Sequence, residues 1–301
     1  MIKATREAYG EELAELVKSN KKIVVLDADL AGSTKSILAE GIAPERFIDL
    51  GIAEGNMVGV AAGLAASNYI PFASSFAMFA AGRAWEQVRN SIAYPHLNVK
   101  IIGSHAGVTV GEDGASHQAL EDIACMRVMP GMTVLVPADA SETKACVDFM
   151  ADYTGPVYLR TGRAKVDDVY FERPEVTKVN VVKKGNGKIA VFACGVEVSE
   201  ALKAADEKWT VADVCSIKPV DTAGVVDVLR THEIIFTAEE HNIIGGLGDT
   251  IMEIAAEYCP KAIHRIGVKD RFGQSGSASE LLHEYGLDAY GISRQVGEYT
   301  K

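Results

Sequence analysis

The chain has 301 residues, 48% of them hydrophobic and 24% charged, and a formal charge of −11 at neutral pH. That length allows two ordinary domains, and the acidic balance argues against nucleic acid or an anionic membrane as the main partner. No run of ~18 apolar residues occurs and no signal-peptide pattern opens the chain, so no membrane partner and a cytoplasmic location are expected.

Residues 6–20 place Tyr9, Leu13, Leu16 and Val17 on one helical face. Residues 22–26 then read as a short buried strand ending in Asp27-Ala28-Asp29-Leu30. The alternation continues with helices over 56–67, 80–92, 120–126 and 141–152, interleaved with strands over 71–74, 99–103, 133–136 and 157–159. Strands that alternate with helices imply a mostly parallel sheet covered on both faces, with ligands at the carboxyl ends of the strands. Asp29, Ser104, His105 and Arg160 fall at such ends. Composition turns polar between 161 and 188, and a second block follows with strands over 189–193, 210–213, 234–238 and 262–267. Helices over 197–207, 223–230 and 248–258 separate those strands. The expected architecture is therefore two doubly wound α/β domains, a larger one over 1–165 and a smaller one over 188–301, joined by a linker over 166–187.

Gly245-Gly246-Leu247-Gly248-Asp249 invites a nucleotide reading, but Ile251 stands where the third glycine of G-x-G-x-x-G belongs and no P-loop lysine follows. A loop opening the next helix is the reading it supports. The five cysteines, Cys125, Cys146, Cys194, Cys215 and Cys259, form no C-x-x-C pair, which predicts buried free thiols rather than disulfides or a metal site.

Three patterns carry chemistry. Gly111-Glu112-Asp113-Gly114-Ala115-Ser116-His117-Gln118 gathers two acids, a histidine and two glycines after the strand over 99–103. Glycine lets backbone turn tightly toward a ligand, so these groups can be displayed together; a solvated surface turn is the plainer alternative. Glu54 precedes a stretch, 57–66, without an ionisable residue. An acid there either complements the helix dipole or serves as a carboxyl in apolar surroundings able to donate a proton. Phe76 and Phe79 are either core residues at helical spacing or a flat wall for an aromatic ring.

In order, Gly51-Ile52-Ala53-Glu54-Gly55-Asn56-Met57, Ser75-Phe76-Ala77-Met78-Phe79, the Gly111–Gln118 string, Tyr158-Leu159-Arg160 and the EEHNIIGGLG run over 239–248 resemble transketolase, a thiamine diphosphate enzyme, across essentially all 301 residues. The resemblance implies a pyrimidine-binding domain followed by a transketolase C-terminal domain. It gives Glu54 the hydrogen bond to the pyrimidine ring nitrogen that promotes the imino tautomer, and Phe76 and Phe79 the enclosure of that ring. A third aromatic found in some transketolases is replaced here by Gly82, so that wall is thinner or supplied from elsewhere. Asp29 would lie near the thiazolium. Asp113 would bond a substrate hydroxyl, and His117 would serve as a catalytic group that also contacts the phosphate or nearby hydroxyls. His105, Arg160, Arg6 and Ser33 would make further phosphate contacts.

Thiamine diphosphate enzymes hold the diphosphate through a divalent metal on a Gly-Asp-Gly motif followed by an asparagine. Here Gly-Asp occurs only at Gly248-Asp249, followed by Thr250. The resemblance thus implies the C-terminal subunit of a split transketolase, whose N-terminal partner supplies Mg²⁺ and the diphosphate site in an α₂β₂ assembly. Its reaction would be ketol transfer between sugar phosphates. The alternatives are a 2-oxo-acid dehydrogenase β-like subunit, which would lack the Gly111–Gln118 string, and a 1-deoxyxylulose 5-phosphate synthase-like chain. The latter shares Asp-Gly-Ala-Ser-His-Gln but carries all domains in one polypeptide. A non-catalytic transketolase-like subunit is a third.

Overall fold

The apolar runs of the sequence become strands buried on both faces. Ile23–Asp27, Lys100–Ser104 and Val157–Arg160 are buried at every position, as central strands of a covered parallel sheet must be. The computed structural model describes residues 2–299. Its larger sheet has seven strands in the order Ser216–Lys218, Thr133–Leu135, Val157–Arg160, Lys100–Ser104, Ile70–Phe76, Ile23–Asp27, Phe47–Asp49. All pairings are parallel except the first, where Ser216–Lys218 runs antiparallel to Thr133–Leu135. The helix Thr5–Ser19 buries Tyr9, Leu13 and Val17 against one face, together with Cys146, Val147 and Met150 of the helix Ala140–Asp152. The helix Glu54–Ala66 covers the other face with Met57, Val58 and Ala61.

The smaller sheet has five strands in the order Ile263–Val268, Ile234–Asn242, Ile189–Ala193, Trp209–Val214, Val179–Lys183. Four are parallel and the last is antiparallel. Val179–Lys183 lies inside the stretch read as linker. It is an edge strand, half-buried along its length, and so too polar to stand out in the sequence. The start of that stretch is also fixed, because the Asp139 carboxylate accepts from the Val169 and Tyr170 amides, each at 2.7 Å.

The helix expected over 80–92 is not continuous. Met78–Arg83 and Val88–Ala93 are π-helical and flank a short α-helical turn, Trp85–Gln87. A π turn widens the helix, and such turns recur at functional sites. All five cysteines are free; Cys146, Cys194 and Cys215 are buried, while Cys125 and Cys259 are half-buried. No helix of the described residues is long and apolar enough to cross a membrane.

Candidate active site

The carboxyl ends of the adjacent strands Ile23–Asp27, Ile70–Phe76 and Lys100–Ser104 open onto one region. The buried Asp27 carboxylate organises the first of these ends. It accepts from the Leu30 amide at 2.7 Å and from the Thr34 and Ser36 hydroxyls at 2.8 and 2.7 Å. Burial raises its pKa, and those three donors oppose the rise. Their bonds fix the turn that carries Ser33, whose carbonyl accepts from Arg6 Nη1 at 2.7 Å. At the end of Lys100–Ser104 the chain turns through His105 at φ +57°, a left-handed conformation that a non-glycine residue adopts only under local constraint.

Four rings meet there. Phe76 and Phe79 stack with centroids 6.1 Å apart, and His105 lies on Phe76 at 4.0 Å. His117 presents its edge to Phe79 at 5.4 Å and to Phe76 at 6.2 Å. Phe76 is buried and Phe79 half-buried, so the inner ring packs and the outer one is partly exposed. Around the rings stands positive charge. Arg6 Nη1 lies 3.3 Å from His105 Nε2, and the His105 pKa is lowered to about 3 by burial first and then by Arg6, Arg163, Lys35 and His117. Arg6 Nε is buried without a hydrogen-bond partner. In a chain of charge −11, this is a local anion-binding field with an unspent donor.

Glu54 begins its helix and is 1% exposed. Its surroundings are not wholly apolar, as the sequence suggested. Arg83 Nη1 donates to Glu54 Oε2 at 2.9 Å, and the same guanidinium lies 4.7 Å from the Phe79 ring centroid. The carboxylate, the ring wall and one half-exposed arginine therefore form a connected unit. Gly82 brings no third ring. A Cβ built there would lie 3.6 Å from Met78 Cε. A cavity of about 190 Å³ adjoins, lined by Ala77, Met78, Ala81, Gly82, Asp122 and Cys125 among others.

The structure does not gather every sequence candidate. Asp113 is exposed on the same loop as His117. Asp29 is also exposed and, at φ +64°, donates its amide to the Asp49 carboxylate at 3.0 Å. Arg160 is turned inward: Nε bonds the Asp122 carboxylate at 2.9 Å, and Nη2 donates to the Ala119 and Glu240 carbonyls at 3.2 and 2.8 Å. Burial alone would lower its pKa, but Asp122 and Glu240 outweigh it and raise the value. The arginine that does reach the basic cluster is Arg163, which donates to the Val110 carbonyl and to Glu112, the latter at 2.9 Å. Arg83, Lys35 and Arg163 were not among the sequence candidates. The signal for Arg163 was its place three residues beyond Arg160, past the strand end; Arg83 is the first charge after the uncharged run 70–82.

These features define an α/β protein with a candidate site at the carboxyl ends of a parallel sheet. Comparison with known proteins matches residues 2–168 to the transketolase pyrimidine binding domain and residues 177–292 to the transketolase C-terminal domain. A protein of Methanocaldococcus jannaschii described as a putative transketolase C-terminal section is 46% identical over 315 residues, covering 100% of this chain and 98% of that one. The 6-deoxy-6-sulfo-D-fructose transketolase subunit SqwH of Clostridium sp. (strain MSTE9) is 38% identical over 304 residues, 98% of this chain and 94% of its own. A solved structure described as a split gene transketolase, inactive beta4 tetramer, superposes with a TM-score of 0.90 at 47% identity, covering 98% of this chain and 97% of that one. The chain belongs to the transketolase family.

Proposed function

We propose that the chain is the C-terminal subunit of a two-chain, thiamine diphosphate-dependent transketolase that reversibly transfers a two-carbon ketol unit from a ketose phosphate to an aldose phosphate. One observation carries this reading: a buried carboxylate, a stacked phenyl pair and a basic cluster converge at the ends of adjacent strands. The residues fit the pyrimidine half of the cofactor. Phe79 is half-buried beside Arg83, and among the described residues only Arg83 hydrogen-bonds the Glu54 carboxylate, through Oε2. Thiamine diphosphate, when bound, would supply the carbanion chemistry that cleaving the bond beside a ketose carbonyl requires. Glu54 Oε1 would hydrogen-bond the pyrimidine ring nitrogen and hold a proton there, with Arg83 keeping that carboxylate in place. Arg6, with Lys35 and Arg163 nearby, orients the substrate phosphate by charge-assisted bonds. His105 and His117 hold the sugar between phosphate and ring wall. Asp113, exposed on the same loop, would read a substrate hydroxyl, and Asp29 would lie near the thiazolium.

A partner chain carrying the diphosphate-binding domain contributes Mg²⁺ and the rest of the pocket, in an α₂β₂ assembly working in the cytoplasm. The relatives support this division, since each is described as a section, a subunit or a split gene product. The test is Glu54→Gln in the reconstituted complex. Ketol transfer is expected to fall by about two orders of magnitude while assembly and cofactor content hold. Near-wild-type turnover with intact assembly would sink the assignment.

A further inference from the structure

The loop bearing His105, Asp113 and His117 is held from outside its own sheet. The Thr109 amide donates to Glu240 Oε1 at 2.5 Å, although 131 residues separate them. Gly107, at φ +85°, lies against the same carboxylate: a Cβ there would stand 2.2 Å from Glu240 Cδ. Two residues further along the strand Ile234–Asn242, the Asn242 amide donates to the Leu120 carbonyl at 2.8 Å. Gln118 Nε2 ties the loop to the second domain again through the Gln274 carbonyl at 2.9 Å, and braces it internally through the Val108 carbonyl at 3.1 Å. At the tip, a Cβ on Gly114 would meet Ser275 Oγ at 2.5 Å.

The loop closes on itself through turn bonds such as Gly107 N–H to the Ala119 carbonyl at 2.9 Å and His117 N–H to the Gly114 carbonyl at 3.0 Å, and none of these satisfies the Thr109 amide. It contains one 3₁₀ turn, Val108–Val110, and three glycines at positive φ, at 107, 111 and 114. The Thr109 amide is buried, so without Glu240 it would be an orphaned donor. The Glu240 side chain is itself 4% exposed, and its carbonyl accepts from Arg160. The loop amide is thus the partner its carboxylate has been placed to meet.

We propose that Glu240, in the second domain, is a positioning residue for sugar-phosphate binding: by fixing the Gly107–Thr109 turn it sets where the loop presents His105 and His117. The inference rests on the transketolase reading for its substrate, but not for the loop contact. Small displacements of binding groups have large kinetic effects when several must act together, so the consequence is felt in substrate affinity more than in cofactor affinity.

The experiment compares Glu240→Ala and Glu240→Gln in the assembly reconstituted with its partner chain. Glu240→Ala is expected to raise KM for a phosphorylated ketose about tenfold and to leave the affinity for thiamine diphosphate within about twofold. Glu240→Gln keeps an oxygen for the Thr109 amide and is expected to stay within about threefold of wild type. Amide hydrogen exchange on this chain alone adds a readout independent of activity: residues 106–118 should exchange about tenfold faster in Glu240→Ala, with the smaller sheet unchanged. An unchanged KM and unchanged loop exchange would overturn the proposal, as would faster exchange spread evenly through the chain. Should Glu240→Ala fail to fold, Glu240→Asp, which withdraws the carboxylate by one methylene, is expected to move both readouts in the same direction; wild-type values for it would equally overturn the proposal. A wild-type assembly that transfers no ketol unit would defeat the transketolase reading and leave the exchange arm to judge Glu240.

Discussion

His105 shows how much chemistry one backbone turn can set. Arg6 Nη1 donates toward His105 Nε2, which places the ring proton on Nδ1, 2.8 Å from Ser104 Oγ. The ring is therefore neutral, and the groups facing it explain why it stays so. It is buried on Phe76, and Arg6, Arg163, Lys35 and His117 all repel a positive imidazole, lowering its pKa to about 3. In the unfolded chain it would take a proton near 6.5, so between about 3 and 6.5 the unfolded state binds more protons and stability falls as pH drops. An NMR titration is expected to show His105 unprotonated from pH 8 down to about pH 4, and Arg6→Met to move its titration upward. A midpoint near the ordinary histidine value in the wild-type chain would contradict the burial and charge argument. Neutral, the ring accepts from Arg6 and does not compete with it for a phosphate.

The strand Ile234–Asn242 shows the same economy at the scale of an element. Its end reads Glu239-Glu240-His241-Asn242, and all but the last are buried. Glu239 accepts from the Leu247 and Gly248 amides at 2.7 and 2.8 Å, filling the N-terminus of the helix Leu247–Tyr258 with a carboxylate of the same chain. Gly246 permits the approach, since a Cβ there would lie 1.9 Å from Glu239 Oε2. Glu239→Ala is expected to lower stability by about 1–3 kcal/mol in denaturant unfolding, with Glu239→Gln losing less. An alanine variant as stable as wild type would show that the carboxylate does not hold this helix end. Burial pushes Glu239 up to about 7, against its two amide donors. The folded state thus keeps a proton that the unfolded chain releases, a contribution complete below the ordinary carboxylate range and lost as pH rises through about 7. The sequence revealed that the glycine run around 246 opens a helix, because a third glycine and a P-loop lysine are missing. It could not reveal the anion that fills it, because Glu239 comes from the preceding strand. Arg160 was hidden for a related reason. Strand periodicity puts Tyr158 and Arg160 on one face, where both bond Asp122 Oδ2, at 2.8 and 2.9 Å. Nothing local distinguishes that inward arginine from Arg163 beyond the strand end. The long buried strands and the Tyr9–Leu13–Val17 helix face were legible from apolar periodicity, whereas Phe47–Asp49 and Ser216–Lys218 are three-residue edge strands with too little pattern to read.

Across the whole molecule, those short edge strands matter more than their length suggests. Ser216–Lys218 follows the second-sheet strand Trp209–Val214 directly, yet pairs with Thr133–Leu135 in the first sheet. The core on that side is continuous, with Met126, Val134 and Val136 in one apolar cluster with Phe192, Val214, Ile217 and Leu229. Buried charge crosses the same boundary. Arg160 joins Asp122 of the first sheet's helix layer to the Glu240 carbonyl of the second sheet, and removing one member of such a buried pair typically costs about 3–5 kcal/mol. The Cys146 and Cys215 thiols also meet at 3.4 Å across it. Neither sheet can lose its order without exposing part of the other's core, so the two are expected to unfold together. Calorimetry on the isolated chain should give one transition whose calorimetric and van't Hoff enthalpies agree. Arg160→Met should move that transition to lower temperature without splitting it, because the unpaired Asp122 weakens a boundary both sheets share. Two resolved transitions in the wild-type chain would mean that the sheets are independent units. In that case the second domain could not transmit its hold on the sugar-phosphate loop, and the positioning role of Glu240 would lose its mechanical basis.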